Sequence, residues 1–215
     1  MTVSNSNNSP IRAYASAAVL AGGKSSRMGV DKALLTLYDN TLAGIAIEKF
    51  KNDARFSEVL LSANDEARYA FLETPVIPDS IPGQGPLQGM IACLMAAKRE
   101  YTCFLPCDAP LVPEGFPGWL FEAAFDADAD AAIPVWEGRE EPLMACCRKT
   151  MLPVFERLAE SGERRVYLAF SDPSVHILRV DLSAPEPLEK FGDPARYLIN
   201  ANDPETFQAM RARQE

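Results

Sequence analysis

Residues 14–32 of the chain read YASAAVLAGGKSSRMGVDK, an apolar run followed by a glycine pair, two serines and three cations. The run from Tyr14 to Ala21 ends abruptly at the glycines, which is typical of a buried parallel strand that enters a loop. Glycine lets backbone N–H groups approach an anion closely, and Lys24, Arg27 and Lys32 add positive charge to the same stretch. The sequence therefore predicts a strand followed by a phosphate-binding loop.

Two familiar phosphate-binding loops do not fit this stretch. A Walker A loop that ended at Gly23-Lys24-Ser25 would need a glycine at position 18, where the chain has Ala18. The Rossmann pattern G-x-G-x-x-G is also missing from the segment. The loop is therefore of a third kind, and a solvated Ser/Lys turn without function is the alternative interpretation.

Strands and amphipathic helices alternate along the rest of the chain. Apolar residues recur at intervals of three and four in four segments that we assign to helices, 42–50, 86–95, 116–125 and 151–159. Runs between them predict strands at 59–63, 102–106, 130–136, 143–148 and 175–180, and RYLINANDPETF (196–207) predicts a last strand, a turn and a closing helix capped by Asn202 or Asp203. This alternation predicts an α/β fold of three layers, Rossmann-like, with a mostly parallel central sheet covered by helices on both faces.

Ligands of such folds gather at the carboxyl ends of the strands. The loops at 22–32, 79–86 and 107–113 follow strands or precede helices, so we expect them to meet at that edge. A lone carboxylate there, such as Asp108, suits a hard cation such as Mg²⁺ that substrate phosphates and water also bind. A turn or a helix cap explains Asp108, Asp79 and Asn64 equally well from sequence alone.

Length and charge limit the classes of partner. A chain of 215 residues and 23.6 kDa suits one domain, which we place at 13–215 after a disordered tail at 1–12. A net charge of −9 argues against a nucleic-acid partner that is gripped through many phosphates. No run approaches the roughly 18 apolar residues of a membrane span, and the opening MTVSNSNNSP does not resemble a signal peptide, so we expect a cytoplasmic protein that does not bind membranes.

The five cysteines are odd in number, lie in apolar segments and come with a single histidine, His176. This pattern does not indicate a disulfide framework. Cys103 and Cys107 lack the second Cys/His pair that a structural zinc site needs. We therefore expect all five cysteines to be small buried apolar residues and His176 to be structural.

The segment from Leu20 to Lys32 resembles, almost letter for letter, the signature of the molybdenum cofactor guanylyltransferases, a family within the nucleotidyltransferases. The resemblance spans roughly residues 14 to 210 and continues through PDS (78–80), GPLQG (85–89), PCDAP (106–110), GERRV (162–166) and NANDP (200–204). The first motif is common to the wider group, whereas the glycine pair and the two late motifs resemble the guanylyl branch. The resemblance implies the nucleotidyltransferase fold, with a nucleotide-binding half at about 13–113 and a pterin-binding half at about 114–215.

The resemblance also implies roles for individual residues. These are nucleotide binding for Leu20, Ala21, Gly22, Gly23, Lys24, Lys32, Asn64, Asp79 and Asp108, pterin binding for Arg164, Arg165, Asn200 and Asn202, and catalysis for Arg27, Lys32 and Asp108, with Asp108 as the Mg²⁺ ligand. Taken alone, the two arginines are typical of a solvated pair on a helix. The two late asparagines alternate along an extended segment, where they can present two amides to a heterocycle.

Two positions depart from the family pattern. The chain has Ser62-Ala63-Asn64 where relatives often have Asn-x-Asn, and Glu141-Pro142 where they commonly have His-Pro. The resemblance therefore assigns no role to the Ser62 hydroxyl or to the Glu141 carboxylate. Nothing else in the sequence assigns one.

The implied reaction is transfer of GMP from GTP to the phosphate of molybdenum-molybdopterin, with release of pyrophosphate. The implied protein partners are cofactor-insertion enzymes and apo-molybdoenzymes. Two alternatives stay open: a cytidylyl- or sugar-phosphate nucleotidyltransferase, and a delivery protein that binds GTP or the cofactor without catalysis. The glycine pair disfavours cytidine, and the presence of Arg27, Lys32 and Asp108 disfavours a non-catalytic binder.

Overall fold

A computed structural model describes residues 14–22 and 31–212 of the chain. The strands are β1 (Ala15–Leu20), β2 (Thr36–Leu37), β3 (Asn40–Thr41), β4 (Phe56–Ser62), β5 (Val76–Ile77), β6 (Tyr101–Pro106), β7 (Ala131–Trp136), β8 (Arg139–Glu140), β9 (Cys146–Arg148) and β10 (Ile177–Asp181). The α-helices are α1 (Leu42–Lys51), α2 (Glu66–Tyr69), α3 (Pro86–Ala96), α4 (Phe116–Asp126), α5 (Leu152–Glu160), α6 (Pro185–Phe191), α7 (Pro194–Tyr197) and α8 (Pro204–Ala212). Among these described helices none is both long and apolar enough to cross a bilayer.

Eight of the described strands form one sheet, in the order β10-β7-β9-β6-β1-β4-β5 with β8 beside β7. The pairs β1–β4, β1–β6, β4–β5 and β7–β10 are parallel. Strand β9 is antiparallel to both β6 and β7, and β8 returns antiparallel along β7. The predicted α/β fold is therefore confirmed, with a mixed sheet that is mostly parallel.

Apolar layers cover both faces of the sheet. Alternate residues of β1 point to opposite sides, because Ala17 and Val19 belong to one buried cluster and Ala18 and Leu20 to the other. The first cluster includes the apolar residues of α1 and α4, and the second those of α3 and α5. The three-layer prediction is thereby confirmed, and the core lies on either side of β1.

Three local predictions are wrong. The segment after α7 forms no strand over 198–203, because Tyr197 ends a helix and packs against Phe116 with ring centroids 5.9 Å apart. The strand expected at 143–148 begins only at Cys146, since the preceding proline starts a 3-10 turn at Pro142–Met144. The arginines at 164 and 165 lie in a loop and not on a helix.

The predictions for the cysteines and for the last helix cap are confirmed. All five cysteines are buried and free, and they lie within the described part of the chain. Helix α8 is capped by Asp203, whose Oδ1 accepts the backbone N–H of Thr206 at 2.8 Å. The free cysteines act as apolar packing residues, because burial raises the pKa of the Cys93 thiol to about 12 and keeps it neutral.

Helix α3 approaches the end of β4 closely at Gly89. A Cβ atom at that position would overlap the Ser62 Oγ and would lie 3.3 Å from the Ser62 Cβ. Ser62 is 2% exposed, so its hydroxyl has little room to move away. The glycine therefore sets the distance between the helix and the strand end.

We expect Gly89→Ala to destabilise the protein, although alanine favours a helix by ~1 kcal/mol over glycine. Overpacking costs about 1–3 kcal/mol, and the overlap with the buried Ser62 Oγ places this variant at the upper end, so the net loss in unfolding free energy should be about 2 kcal/mol in urea denaturation. Adding Ser62→Ala removes the overlapping oxygen and should restore the stability. A Gly89→Ala protein as stable as the wild type, or one that Ser62→Ala does not rescue, would contradict this account.

Candidate active site

A cavity of about 690 Å³ lies at the carboxyl ends of β1 and β4. This volume is within the range typical of small-molecule sites. Its wall is formed by Ala21, Gly22, Asp31, Ala63, Asn64, Asp65, Arg68, Tyr69, Asp79, Pro82, Gly83, Gly85 and Arg164. The predicted loops at 22–32 and 79–86 therefore meet here, through the residues of each that the structure describes.

Backbone hydrogen bonds hold the ends of three neighbouring strands level. The Ala21 N–H donates to the Ser62 carbonyl at 3.1 Å, and the Cys107 N–H donates to the Leu20 carbonyl at 3.1 Å. The Leu20 side chain is 6% exposed and packs in the core. Of the predicted segment, Ala21 and Gly22 line the cavity, whereas Leu20 supports it from below.

Asn64 and Asp79 hold each other at the cavity wall. The Asn64 Nδ2 donates to the Asp79 Oδ2 at 2.9 Å, and the Asp79 backbone N–H donates to the Asn64 Oδ1, also at 2.9 Å. This reciprocal pair fixes the carboxylate on the loop before α3. The structure therefore brings these two predicted residues together, and Asn64 acts on Asp79 directly.

Lys32, Asp108 and Asn202 meet at a second point of the site. The Lys32 Nζ donates to the Asn202 Oδ1 at 2.8 Å and lies 3.8 Å from the Asp108 Oδ2. Burial raises the pKa of the Asp108 carboxyl, and the Lys32 ammonium opposes that rise. The third predicted loop, at 107–113, thus reaches the site through this carboxylate.

The segment 200–202 turns towards Asp108 instead of running straight. The Ala201 N–H donates to the Asp108 carbonyl at 2.7 Å, and the Asn202 N–H donates back to the Asn200 carbonyl at 2.8 Å. The Asn200 Oδ1 is buried and has no hydrogen-bond partner among the described residues. The two asparagines therefore do not form the alternating pair expected from an extended segment, and only Asn202 contacts Lys32.

The two arginines of the GERRV motif lie in different environments. Arg164 lines the cavity. The Arg165 guanidinium donates from Nε to the Glu163 Oε1 at 2.9 Å and lies 5.9 Å from the centre of the Tyr167 ring. These contacts hold the Arg165 side chain against its own loop, whereas Arg164 lines the cavity. The two arginines therefore do not act as a pair in the structure.

Glu141, which departs from the family pattern, lies near Asp108 and is half-buried. Burial raises the pKa of its carboxyl, the Arg139 guanidinium opposes the rise, and the Asp108 charge adds to it. The Glu141 carboxylate therefore interacts electrostatically with Asp108. Among residues 14–22 and 31–212, however, no three His, Cys, Asp or Glu side chains form a cluster that could hold a metal ion.

Sequence reasoning missed four polar residues of the cavity wall: Asp31, Asp65, Arg68 and Tyr69. Asp31 belongs to the opening motif and could have been found there, whereas Arg68 and Tyr69 lie on the short helix α2 and carry no motif. Three predicted residues, Gly23, Lys24 and Arg27, lie outside the described residues, as does the tail at 1–12.

Comparison with known proteins identifies the family. The model of the MobA-like NTP transferase domain matches residues 17–174. The probable molybdenum cofactor guanylyltransferase of Carboxydothermus hydrogenoformans is 35% identical, over 90% of this chain and 93% of that protein. The molybdenum cofactor guanylyltransferase of Shewanella loihica is 29% identical, over 90% and 94%.

The fold has a counterpart among solved structures. The molybdopterin-guanine dinucleotide biosynthesis protein A of Archaeoglobus fulgidus superposes with a TM-score of 0.77 at 23% identity, covering 93% of this chain and 98% of that one. At that identity the superposition supports the architecture alone. Because the family model covers most of the chain and the relatives match it almost end to end, the chain belongs to the MobA-like NTP transferases.

Proposed function

We propose that this protein transfers GMP from GTP to the terminal phosphate of molybdenum-molybdopterin and releases pyrophosphate. The observation that carries the proposal is the meeting of Lys32, Asp108 and Asn202 beside the cavity, because it joins the proposed nucleotide-binding and pterin-binding halves. The relatives that match the chain over nearly their whole length are named molybdenum cofactor guanylyltransferases, which supports the proposal. The five free cysteines suit the reducing cytoplasm, where we place the reaction.

The chemistry needs alignment more than proton transfer. The pterin phosphate is ionised, so an oxygen of it can attack the α-phosphorus of GTP without a strong general base. The bond from that phosphorus to the β-phosphate oxygen breaks, and its electron pair leaves with pyrophosphate. The protein must hold two polyanions in line and balance the charge that moves to the leaving group. Lys32 is held in place for this task, and Lys24 and Arg27 are proposed to share it.

Asp79 is the proposed reader of the base. Guanine presents its N1–H and its 2-amino group as donors on one edge, and a carboxylate accepts both. The reciprocal contacts with Asn64 orient the Asp79 carboxylate before any base arrives. The Ala21 and Gly22 backbone lies on the same cavity wall and is proposed to contact the base as well.

Asp108 is the proposed ligand of Mg²⁺. Its carboxylate is 22% exposed, and burial raises its pKa although the Lys32 ammonium lies nearby. A further cation would stabilise the ionised carboxylate. A single protein carboxylate fits a metal that substrate phosphates and water also bind. Mg²⁺ bound in this way would supply charge neutralisation at the phosphates.

Arg164, Arg165, Asn200 and Asn202 form the proposed pterin side. Asn202 touches Lys32, so a phosphate bound there lies next to the cation that faces the nucleotide. The buried Asn200 Oδ1 is an acceptor that a donor of the pterin could satisfy. Delivery of the product to cofactor-insertion enzymes and apo-molybdoenzymes completes the proposal.

Base choice separates this activity from that of a cytidylyl- or sugar-phosphate transferase. We expect turnover with GTP to exceed that with CTP or ATP by about 10²-fold or more, because a wrong base leaves buried polar groups unpaired. Asp79→Asn should remove most of this preference, whereas Asp65→Asn, a matched change on the same wall, should keep it. Pyrophosphate release with molybdopterin and each nucleotide measures both effects. Equal use of CTP by the wild type would exclude the guanylyl assignment.

Asp108→Asn separates an enzyme from a passive delivery protein. Because burial raises the pKa of Asp108, this carboxyl opposes folding as the pH rises above its ordinary pKa, and the penalty is complete above the raised pKa. The variant should therefore keep or slightly raise the thermal midpoint at neutral pH while turnover falls at least ~10²-fold, about 3 kcal/mol in the transition state.

Asp193→Asn is the control for this variant, since Asp193 caps α7 and asparagine caps a helix equally well. Its turnover and its thermal midpoint should match those of the wild type. A stable and fully active Asp108→Asn protein would show that another group holds the metal.

Single arginine variants test the pterin side. Arg164→Ala and Arg165→Ala should each weaken the use of molybdopterin by about 10-fold, the loss of one charged hydrogen bond, while GTP affinity in calorimetry changes little. The matched control is Arg157→Ala on α5, which removes a surface ion pair with Asp172. This variant should affect the binding of neither ligand. If Arg164→Ala weakens GTP binding as strongly, this residue belongs to the nucleotide side.

A further inference from the structure

Asp31 is held from helix α2. The Tyr69 Oη donates to the Asp31 Oδ2 at 2.7 Å, and the Arg68 Nη1 lies 3.3 Å from the same oxygen. Tyr69 is 4% exposed, whereas the Arg68 side chain is 51% exposed. Exposed ion pairs contribute little, so the tyrosine hydroxyl is the firmer of the two contacts.

Asp31 in turn fixes the backbone at Lys32. Its Oδ1 accepts the Ala33 N–H at 3.2 Å and its carbonyl accepts the Leu34 N–H at 3.1 Å, which makes it the cap of the 3-10 turn Lys32–Leu34. Lys32 is the first residue of that turn. A rotation of the Asp31 carboxylate would therefore shift the start of the lysine side chain.

From this turn Lys32 reaches across the site to Asn202 and Asp108. Its Nζ bonds to the Asn202 Oδ1 at 2.8 Å and lies 3.8 Å from the Asp108 carboxylate. The Tyr69 hydroxyl is therefore linked to Asp31 by a hydrogen bond, and Asp31 is linked to Lys32 through the backbone of the turn. The Lys32 Nζ then reaches the proposed reaction centre. Each member is a described residue with a measured neighbour.

We propose that Tyr69 is a positioning residue, whose hydroxyl aligns the Lys32 ammonium through Asp31. The role of Lys32 in the reaction rests on the proposed function, whereas its position comes from the contacts described above. Burial and the Asp31 carboxylate raise the pKa of Tyr69, so the phenol remains a hydrogen-bond donor at neutral pH. The aromatic ring lines the cavity wall and stays in place when only the hydroxyl is removed.

Tyr69→Phe tests the proposal, with Tyr197→Phe as a matched control. The Tyr197 hydroxyl is also buried but has no partner among the described residues, so its removal deletes no contact that the structure contains. The first readout is the rate at which acetic anhydride acetylates Lys32, followed by mass spectrometry of the free protein. Loss of the hydrogen bond from Tyr69 to Asp31 should loosen the turn that carries Lys32 and raise that rate about 2–10-fold in Tyr69→Phe, and not in Tyr197→Phe.

The second readout is a double-mutant cycle on pyrophosphate release. Tyr69→Phe should lower kcat by about 10-fold with a smaller change in KM for GTP, and should have no further effect in the Lys32→Ala background. An equal loss of kcat in both backgrounds would overturn the proposal, because the hydroxyl would then act independently of Lys32. Asp31→Ala, which removes both carboxylate contacts, serves as the second variant if Tyr69→Phe lowers the thermal midpoint, and it should raise acetylation in the same way.

The two readouts separate this proposal from the proposed function. Acetylation of Lys32 does not depend on which reaction the protein catalyses. If GTP and molybdopterin give no dinucleotide but Tyr69→Phe still raises acetylation, the function fails and the positioning role stands. If acetylation of Lys32 is unchanged in both Tyr69→Phe and Asp31→Ala, the positioning role fails whatever the activity.

Discussion

Strand β1 is buried along its whole length, and the site depends on that burial. It bonds to β4 on one edge and to β6 on the other, and its side chains fill both cores. If a strand buried on both faces slipped by one residue, every side chain would enter the opposite core, where the packing does not fit it. The backbone bonds from Ala21 to Ser62 and from Cys107 to Leu20 continue this register beyond the strands. Asn64 and Asp108 are therefore placed by the sheet before any ligand binds.

Charge is the second constraint, because an acidic protein is proposed to bind two polyanions. Two described cations near the cavity are paired with carboxylates: Lys32 with Asp108, and Arg68 with Asp31 and Asp65. Pairing keeps these side chains extended towards the site in the free protein, at a low cost in side-chain entropy when a phosphate arrives. The Asp108 carboxylate is less well compensated, because burial raises its pKa and the Lys32 ammonium offsets that rise only in part. A group that opposes folding yet stays at the ligand edge is typical of a functional site.

The sequence predicted the sheet, its helical layers and the loops that meet at the strand ends, because those features follow from apolar periodicity. It failed where tertiary packing overrides a local pattern. Tyr197, Leu198 and Ile199 read as a strand, but the tyrosine ring is taken up by the aromatic cluster with Phe116. Tyr69 carried no signal at all, since a single hydroxyl contact to Asp31 is a product of the fold. The side chains at 164 and 165 are adjacent in sequence, but only the contacts to Glu163 and Tyr167 show that they differ.

The turn found in place of the expected strand explains how two distant parts of the chain reach one point. In a straight strand the side chains of Asn200 and Asn202 would face the same side, whereas in the structure only Asn202 contacts Lys32. The turn closed by the Asn202 N–H on the Asn200 carbonyl brings the Ala201 N–H to the Asp108 carbonyl and the Asn202 amide to Lys32. The segment of the proposed pterin side is thus hydrogen-bonded to the two residues proposed to act on the phosphates. The proposed in-line displacement requires this proximity, because the attacking phosphate must lie within reach of the α-phosphorus on which Lys32 and Asp108 are proposed to act.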